Sequence, residues 1–284
     1  MTVITAASGK LGQTLASAFA AKGLASTVKL AVRSPEKLAA QQAQGFAVVA
    51  ADYDDLASLK AAFAGEDVAV IISGVGPNEA RIAQHHNAIE AAKAAGVKRI
   101  VYTSATNPAA TSRFDWAKAH VATEAELKAS GIAYTILRDN SYFSNNDPLF
   151  ANAKQSGVLP FTGIAAKVAY VSHEDVADAI VGAVTGTGHE NKVYELSGSE
   201  AWSAIDLAAI LSEVTGKQIS ALDVPVSAFE DQFRAMGLPE FVATGVGSFY
   251  AALGAGEYAA TSHDVETLAG RPSTSAKAYL ARFA

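Results

Sequence analysis

The sequence predicts an α/β fold, a doubly wound parallel sheet of the Rossmann type followed by a smaller, mainly helical C-terminal part. In the first half of the chain, short apolar runs alternate with longer segments of helical periodicity, which is typical of βαβ units. The short runs are almost wholly apolar, as expected for strands buried on both faces of a parallel sheet. The predicted strands are Thr2–Thr5, Lys29–Val32, Ala47–Ala50, Val68–Ile72, Arg99–Thr103 and Ala133–Leu137.

Helices are predicted between these strands. Several of them precede a glycine, the residue that best adopts the left-handed backbone that ends a helix. Ser34 and Pro35 suit the N-cap and the first position of the second helix. The predicted helices are Leu11–Lys22, Pro35–Gln44, Asp55–Phe63, Glu79–Ala95 and Lys118–Ala129.

The pattern changes after Leu137. Residues 139–161 are polar and aromatic, and they predict a loop and helix over the sheet edge. Two strands, Lys167–Val171 and Lys192–Leu196, are then predicted around the helix His173–Val184. From Ser203 the chain is mostly helical, with one predicted strand at Ile219–Val224.

This pattern predicts two domains. The Rossmann domain comprises residues 1–138, with 165–197 returning to the sheet. Residues 139–164 and 198–284 form the smaller domain on the substrate side. Open α/β sheets bind ligands outside the carboxyl ends of their strands. The smaller domain is expected to form one wall of a cleft there.

Composition excludes several classes of function. The chain has 284 residues, 22 basic and 28 acidic, a net charge of −6 and no basic run, which disfavours an extended nucleic-acid surface. It has no cysteine, which excludes disulfides, thiolate metal sites and cysteine nucleophiles. No group of residues has metal-ligand spacing, so no metal is expected.

The sequence also indicates a location and excludes one kind of partner. No segment approaches the roughly 18 apolar residues of a membrane span, so no membrane partner is expected. The first residues lack the features of a signal peptide, and the cytoplasm is therefore the expected location. Whether the protein forms a homodimer is left open.

The turn between the first strand and the first helix carries a nucleotide-binding pattern. The template G-x-x-G-x-x-G fits at Gly9 and Gly12, with Ala6 in the first place. Such a turn brings backbone N–H groups at a helix N-terminus to a diphosphate. We expect a negative φ at Ala6, which alanine tolerates; an ordinary β–α turn is the alternative. The candidate residues are Ala6, Ser8, Gly9, Lys10, Leu11 and Gly12.

The end of the second strand indicates which dinucleotide binds. NAD-preferring domains usually carry an acidic residue there, whereas this strand ends in Arg33, followed by Ser34 and, one turn later, Lys37. Because a guanidinium forms charge-assisted bonds with a 2′-phosphate, NADP(H) is the predicted cofactor; a solvated surface arginine is the alternative. Three further residues are expected near the adenine, the diphosphate or the ribose: Asp52, Ser73 and Gly74.

Several motifs occur together along the chain. They are the glycine turn, Val32-Arg33, Ala51-Asp52-Tyr53, Ala91–Val97, His120-x-x-Thr123-Glu124, Tyr134–Arg138 and Val193–Leu196. Together they resemble the NmrA-like, atypical branch of the short-chain dehydrogenase/reductase superfamily, in particular bacterial NADPH:quinone oxidoreductases of type 2 and triphenylmethane dye reductases. The similarity extends over essentially the whole chain and implies NADPH in a cleft between a Rossmann domain and a small substrate domain. Two residues depart from the family: Ala6 replaces a glycine, and Asp139 replaces the asparagine that usually follows Leu137-Arg138.

The chain lacks the tyrosine that serves as general acid in typical short-chain dehydrogenases. These enzymes use Tyr-x-x-x-Lys on the helix after the fifth strand, where this chain has Trp116 and His120. Tryptophan has no titratable proton, so ordinary ketone reduction is not expected. A ketone yields an alkoxide whose conjugate acid resembles water, with a pKa of about 15.7. A quinone yields a phenolate-like anion whose conjugate acid has a pKa of about 10, so water can protonate it. A cationic dye needs no proton, because hydride transfer neutralises its charge.

The predicted function is therefore an NADPH-dependent oxidoreductase that transfers hydride to quinone-like or cationic dye acceptors. The expected partner is a small aromatic or quinone-like molecule. Ser104, Asn140 and Tyr142 are the candidate donors to a developing oxyanion. His120 is a candidate for catalysis, or for a structural network with Thr123 and Glu124. Four aromatic residues could stack on a flat substrate or pack in the core: Trp116, Tyr142, Phe143 and Phe161.

Two further interpretations are made from the sequence. His85 and His86 are adjacent on a helix and are expected at the surface. Some NmrA-like proteins bind NADP without turnover and recruit protein partners as redox sensors. The missing Tyr-x-x-x-Lys is compatible with that alternative, a non-catalytic regulator.

Overall fold

A computed structural model describes all residues, 1–284, and its main feature is a seven-stranded parallel sheet. The strands of the chain are β1 (Thr2–Ile4), β2 (Val28–Val32), β3 (Ala47–Ala50), β4 (Val68–Ile72), β5 (Arg99–Ala105), β6 (Ala133–Asp139), β7 (Val158–Phe161), β8 (Lys192–Leu196) and β9 (Ser220–Asp223). The sheet has the order β3-β2-β1-β4-β5-β6-β8, and all its neighbouring strands are parallel. This architecture confirms the predicted Rossmann-type fold.

Twelve α-helices accompany the strands. They are α1 (Lys10–Ala21), α2 (Ala39–Ala43), α3 (Leu56–Phe63), α4 (Asn78–Ala95), α5 (Ala117–Ala129), α6 (Asp147–Ser156), α7 (His173–Thr185), α8 (Ala204–Thr215), α9 (Val226–Ala235), α10 (Glu240–Gly254), α11 (Asp264–Ala269) and α12 (Ala276–Leu280). The predicted helix Pro35–Gln44 begins as a 3₁₀ turn over Pro35–Leu38, and the Ser34 side chain does not cap it. None of the helices combines the length and apolar character that crossing a membrane requires.

Helices cover both faces of the large sheet. On one face α1 and α7 pack together, and buried residues such as Leu15, Phe19 and Ile180 join them to the strands. On the other face α3, α4 and α5 pack over a cluster that includes Phe63 and Tyr102. The sheet is therefore buried on both sides, which explains the continuous apolar runs of its strands.

A third core lies in the later part of the chain. It unites apolar residues of α6, α8, α10 and α12 with the small parallel sheet formed by β7 and β9. Stacked rings of Phe229 and Tyr250, 3.7 Å apart, lie within it. Through the segments that follow β6 and α10, this core is joined to the carboxyl edge of the large sheet.

Two predictions for this later part are wrong. Lys167–Val171 is not a strand, because Val168 pairs with Trp202 while Val171 pairs with Ser141 and Phe143, so its backbone bonds go to different segments. The stretch predicted as loop and helix contains β7, which pairs with β9 in a separate sheet.

Candidate cofactor and active site

A groove runs along the carboxyl ends of the parallel strands. It crosses the point between β1 and β4 where the strand order reverses, the usual ligand site of an open α/β sheet. Two cavities form the groove, a first of about 270 Å³ and a second of about 480 Å³. Because Ala6, Gly9 and Gly74 line both cavities, the groove is continuous past the start of α1.

The first cavity brings together candidates from three separate strand ends. Ser8 follows β1, Arg33 follows β2, and Asp52 follows β3. Arg33 is exposed and forms no hydrogen bond or ion pair within the protein, so its guanidinium is available to an anion. Asp52 accepts a hydrogen bond from the backbone N–H of Asp54, which holds its turn.

The turn before α1 leaves backbone donors without partners. The N–H groups of Lys10, Leu11 and Gly12 donate to no acceptor in the protein, and no side chain caps the helix. A Cβ at Gly12 would lie 2.6 Å from the Ala7 Cα, so only glycine lets the helix approach the strand so closely. Free donors at the positive end of a helix dipole form an anion site, which suits a dinucleotide diphosphate.

The backbone of Ala6 differs from the expectation. Its φ is +50°, in the left-handed region, rather than negative. The Ala6 carbonyl accepts the Gly9 N–H at 3.0 Å, and this tight turn requires the left-handed conformation. A glycine at this position would adopt this conformation without strain.

Three predicted cofactor residues are placed differently from the others. Ser34 and Lys37 line neither cavity; Ser34 precedes the 3₁₀ turn after β2, and Lys37 lies within it. Ser73 lines the second cavity, but its N–H donates to the Thr103 hydroxyl and its own hydroxyl accepts from Arg81. Gly74 therefore offers the freer backbone at the end of β4.

The start of α5 forms one wall of the second cavity. Trp116 lies just before the helix and His120 one turn into it. The Arg81 Nη2 lies 2.9 Å from the His120 Nε2, and because arginine only donates, that nitrogen accepts. The His120 Nδ1 thus carries the proton and donates to the Tyr102 hydroxyl at 2.8 Å. Burial and the neighbouring Arg81 charge lower the pKa of His120 well below its usual value, so the ring is neutral.

Arg81 is a buried cation without a carboxylate partner. Only 3% of it is exposed, and its guanidinium donates to the Ser73 hydroxyl and to the Trp116 carbonyl oxygen. Its Nε has no partner at all. The cavity therefore contains an uncompensated positive charge, which favours an anion developing beside it.

The expected network of His120 with Thr123 and Glu124 is divided in two. His85, expected at the surface, is 1% exposed and hydrogen-bonds to the Thr123 hydroxyl at 2.8 Å. The helix α4 points this histidine into the interface with α5, which the sequence alone did not show. Glu124 instead accepts from Ser104 and from two nitrogens of Arg138, all at 2.8–2.9 Å.

The candidate oxyanion donors line the second cavity, yet each is already engaged. Ser104 donates its only proton to Glu124. The Asn140 amide donates to the Ser197 hydroxyl and the Tyr258 carbonyl oxygen, and it ties β6 to the later chain. Tyr142 donates to the Asp139 Oδ2 at 2.6 Å, and its ring stacks on His173 with centroids 4.1 Å apart.

The aromatic candidates separate into two groups. Trp116 and Tyr142 line the second cavity, where Phe249 and Tyr258 join them. Phe143 and Phe161 are buried in the third core, with Phe143 stacked on Tyr170. They therefore pack the protein rather than face a ligand.

Sequence reasoning missed several residues of the groove. Thr5 and Tyr53 hydrogen-bond to one another beneath the first cavity, and Tyr53 also donates to the Ile72 carbonyl oxygen. Arg81 was missed although the sequence held a signal for it. It shares a helix face with His85, Ala88 and Ala92, at the three- and four-residue spacing of a side turned to the core.

Comparison with known proteins agrees with this geometry. A family model described as NAD(P)H-binding matches residues 6–187. Quinone oxidoreductase 2 of Escherichia coli is 37% identical over 274 residues, which cover 96% of this chain and 95% of the relative. The crystal structure of NADPH-dependent quinone oxidoreductase from Escherichia coli with NADPH superposes with a TM-score of 0.92 at 35% identity, over 99% of each chain.

A second solved structure is similarly close. The triphenylmethane reductase of a Citrobacter species, in complex with NADP(H), superposes with a TM-score of 0.92 at 32% identity over the full length of both chains. These matches confirm the resemblance inferred from the motifs. The chain belongs to the NAD(P)H-binding family and is a relative of the NADPH-dependent quinone and triphenylmethane reductases.

Proposed function

We propose that this protein is an NADPH-dependent reductase that transfers hydride to quinone-like acceptors, with cationic dyes as further acceptors. The observation that carries the proposal is the continuous groove from Arg33, past the free N-terminus of α1, to a cavity with aromatic walls. NADPH in that groove supplies the hydride. The relatives named as a quinone oxidoreductase, an NAD(P)H azoreductase and a triphenylmethane reductase support the oxidoreductase class.

The residues of the groove divide the binding of NADPH among them. The Arg33 guanidinium takes the 2′-phosphate, and the N–H groups of Lys10, Leu11 and Gly12 take the diphosphate. The nicotinamide end then reaches the second cavity, which Ser104, His120 and Tyr142 line. Trp116 and Phe249 provide flat apolar surface for a ring-shaped acceptor.

The chemistry proceeds without a dedicated tyrosine acid. His120 occupies the place of the usual lysine but is neutral and already accepts from Arg81, so it lowers the pKa of no neighbouring hydroxyl. The buried Arg81 charge stabilises the hydroquinone anion, and Tyr142 on the cavity wall orients it. Water protonates this anion, because the pKa of its conjugate acid is about 10, as in a phenol.

The smaller domain contributes the substrate side. Residues 139–164 and 198–284 bring Tyr142, Phe249 and Tyr258 to the second cavity, opposite the residues supplied by the sheet. Differences in this wall would select the acceptor.

The proposal is tested by NADPH oxidation with three kinds of acceptor. Benzoquinone or naphthoquinone and a triphenylmethane dye should be reduced, whereas aliphatic ketones and aldehydes should not. A matched pair of variants tests the role of the missing acid. Trp116→Tyr alone should not gain ketone reduction. Ketone reduction is expected only when His120→Lys is added, because the two changes together restore the usual Tyr-x-x-x-Lys pair. Ketone turnover by the unmodified protein would contradict the proposal. NADPH binding with no turnover of any quinone or dye would favour a redox-sensing regulator.

A further inference from the structure

The carboxyl group of Asp139 lies at the end of β6, in the wall of the second cavity. Only 9% of the residue is exposed. Its Oδ2 accepts one hydrogen bond, from the Tyr142 hydroxyl at 2.6 Å, and its Oδ1 has no partner. A buried carboxylate is stabilised by several donors or by a cation, and this one has neither.

The surroundings of Asp139 do not compensate a negative charge. Arg138, its neighbour along the strand, forms ion pairs with Glu124 and Glu195 instead. The other charged or titratable groups around the cavity form no hydrogen bond or ion pair with Asp139; they are Lys10 of α1, Arg81 of α4, His120 of α5, His173 of α7 and Tyr258 after α10. Burial therefore dominates and raises the pKa of Asp139 to about 7.

The other titratable rings of the cavity do not change charge near neutral pH. Burial lowers the pKa of His173 to about 4 and that of His120 well below its usual value. Burial raises the pKa of Tyr142 and of Tyr258 above the ordinary value for tyrosine. A charge change near pH 7 in this wall is thus assigned to Asp139.

The protonation of Asp139 decides what the Tyr142 hydroxyl can do. A tyrosine has one proton to donate. When Asp139 is ionised, it accepts only, so the Tyr142 proton is held by the carboxylate. When Asp139 is protonated, its own O–H can donate to the Tyr142 oxygen, and the Tyr142 proton is free to turn into the cavity.

We propose that Asp139 is a positioning residue that directs the Tyr142 hydroxyl: protonated, it releases the hydroxyl to donate to the acceptor oxygen, and ionised, it withdraws it. This inference rests on the proposed quinone reductase function and gives that site a pH dependence. An asparagine at this position does not titrate, so its hydrogen bond to Tyr142 would be the same at every pH.

The pH profile of quinone reduction tests the proposal. Between about pH 6 and pH 8, kcat/KM should fall by about two- to tenfold, which corresponds to the loss of one hydrogen bond. Asp139→Asn should give a flat profile, and Tyr142→Phe should be flat at the lower level. The matched control is Asp147→Asn, which breaks a similar bond, Tyr279 to Asp147 at 2.8 Å, outside the groove and should keep the step. A step that persists in Asp139→Asn, or a flat profile of the unmodified protein, would overturn the proposal.

A second readout requires no turnover. The infrared spectrum of the protein should contain the band of a protonated carboxyl group that titrates near neutral pH and is missing from Asp139→Asn. Absence of that band overturns the inference whether or not any quinone is reduced. A titrating band in a protein that reduces no quinone overturns the proposed function instead, so the two failures are distinguishable.

Discussion

Replacement of Asp139 by asparagine should change how the stability of the protein depends on pH. The folded protein holds the Asp139 carboxyl with a pKa of about 7, because the group is buried with a single hydrogen bond. In the unfolded chain its pKa is about 3.9. A group whose pKa is raised on folding contributes its full stability below the unfolded pKa, and the contribution is lost as the pH rises through the folded value.

The magnitude follows from the proton balance. Between about pH 5 and pH 7, the folded state binds roughly one more proton at this site than the unfolded state. The free energy of unfolding therefore falls by about 1.4 kcal/mol for each unit by which the pH rises. From about pH 5 to pH 8, the unmodified protein should therefore lose about 3 kcal/mol of unfolding free energy that Asp139→Asn keeps. This difference is large against a typical stability of about 5–15 kcal/mol.

Urea unfolding at the two pH values measures this difference. The free energy of unfolding is compared between the unmodified protein and Asp139→Asn, so that titrations elsewhere cancel. Asp147→Asn, at another tyrosine–aspartate hydrogen bond, provides the control and should follow the unmodified protein. If Asp139→Asn and the unmodified protein lose stability in parallel, Asp139 does not titrate in this range, and the reasoning is refuted.

Four other substitutions test the cofactor site. Arg33→Ala should weaken NADPH binding by about 10- to 150-fold, the value of a charge-assisted hydrogen bond, and leave NADH binding almost unchanged; equal losses measured by fluorescence titration would contradict the 2′-phosphate assignment. Gly9→Val should abolish NADPH binding in a protein that circular dichroism shows to be folded, whereas Gly12→Ala should lower the melting temperature because its Cβ meets the Ala7 backbone. Ala6→Gly should relieve a left-handed strain of about 1–2 kcal/mol, offset in part by the greater freedom of glycine in the unfolded chain, so a marked loss of stability would refute the strain.

The regular elements of the first half were predictable from the sequence because their determinants are local. Apolar runs such as Val68–Ile72 become strands with the predicted limits, since a parallel strand covered on both faces must be apolar throughout. The turn from Ala6 to Gly12 was likewise identified by position and residue type, because a close helix–strand approach excludes a side chain at Gly12. Arg33 was predicted as a cofactor residue because it directly follows the end of β2, and the structure places it in the first cavity with its side chain exposed.

The tertiary structure decided how side chains distant in sequence are paired. Ser104 was a candidate donor until the fold placed Glu124 within 2.8 Å of its hydroxyl, and His85 is buried because α4 packs on α5. Residues 167–171 have the composition of a strand, yet the chain that returns from β7 offers them no continuous partner. Local pattern thus determined the seven strands of the large sheet and the position of the glycine turn after β1. Protonation and hydrogen-bond direction at Asp139 depend on burial and on partners that only the folded chain supplies.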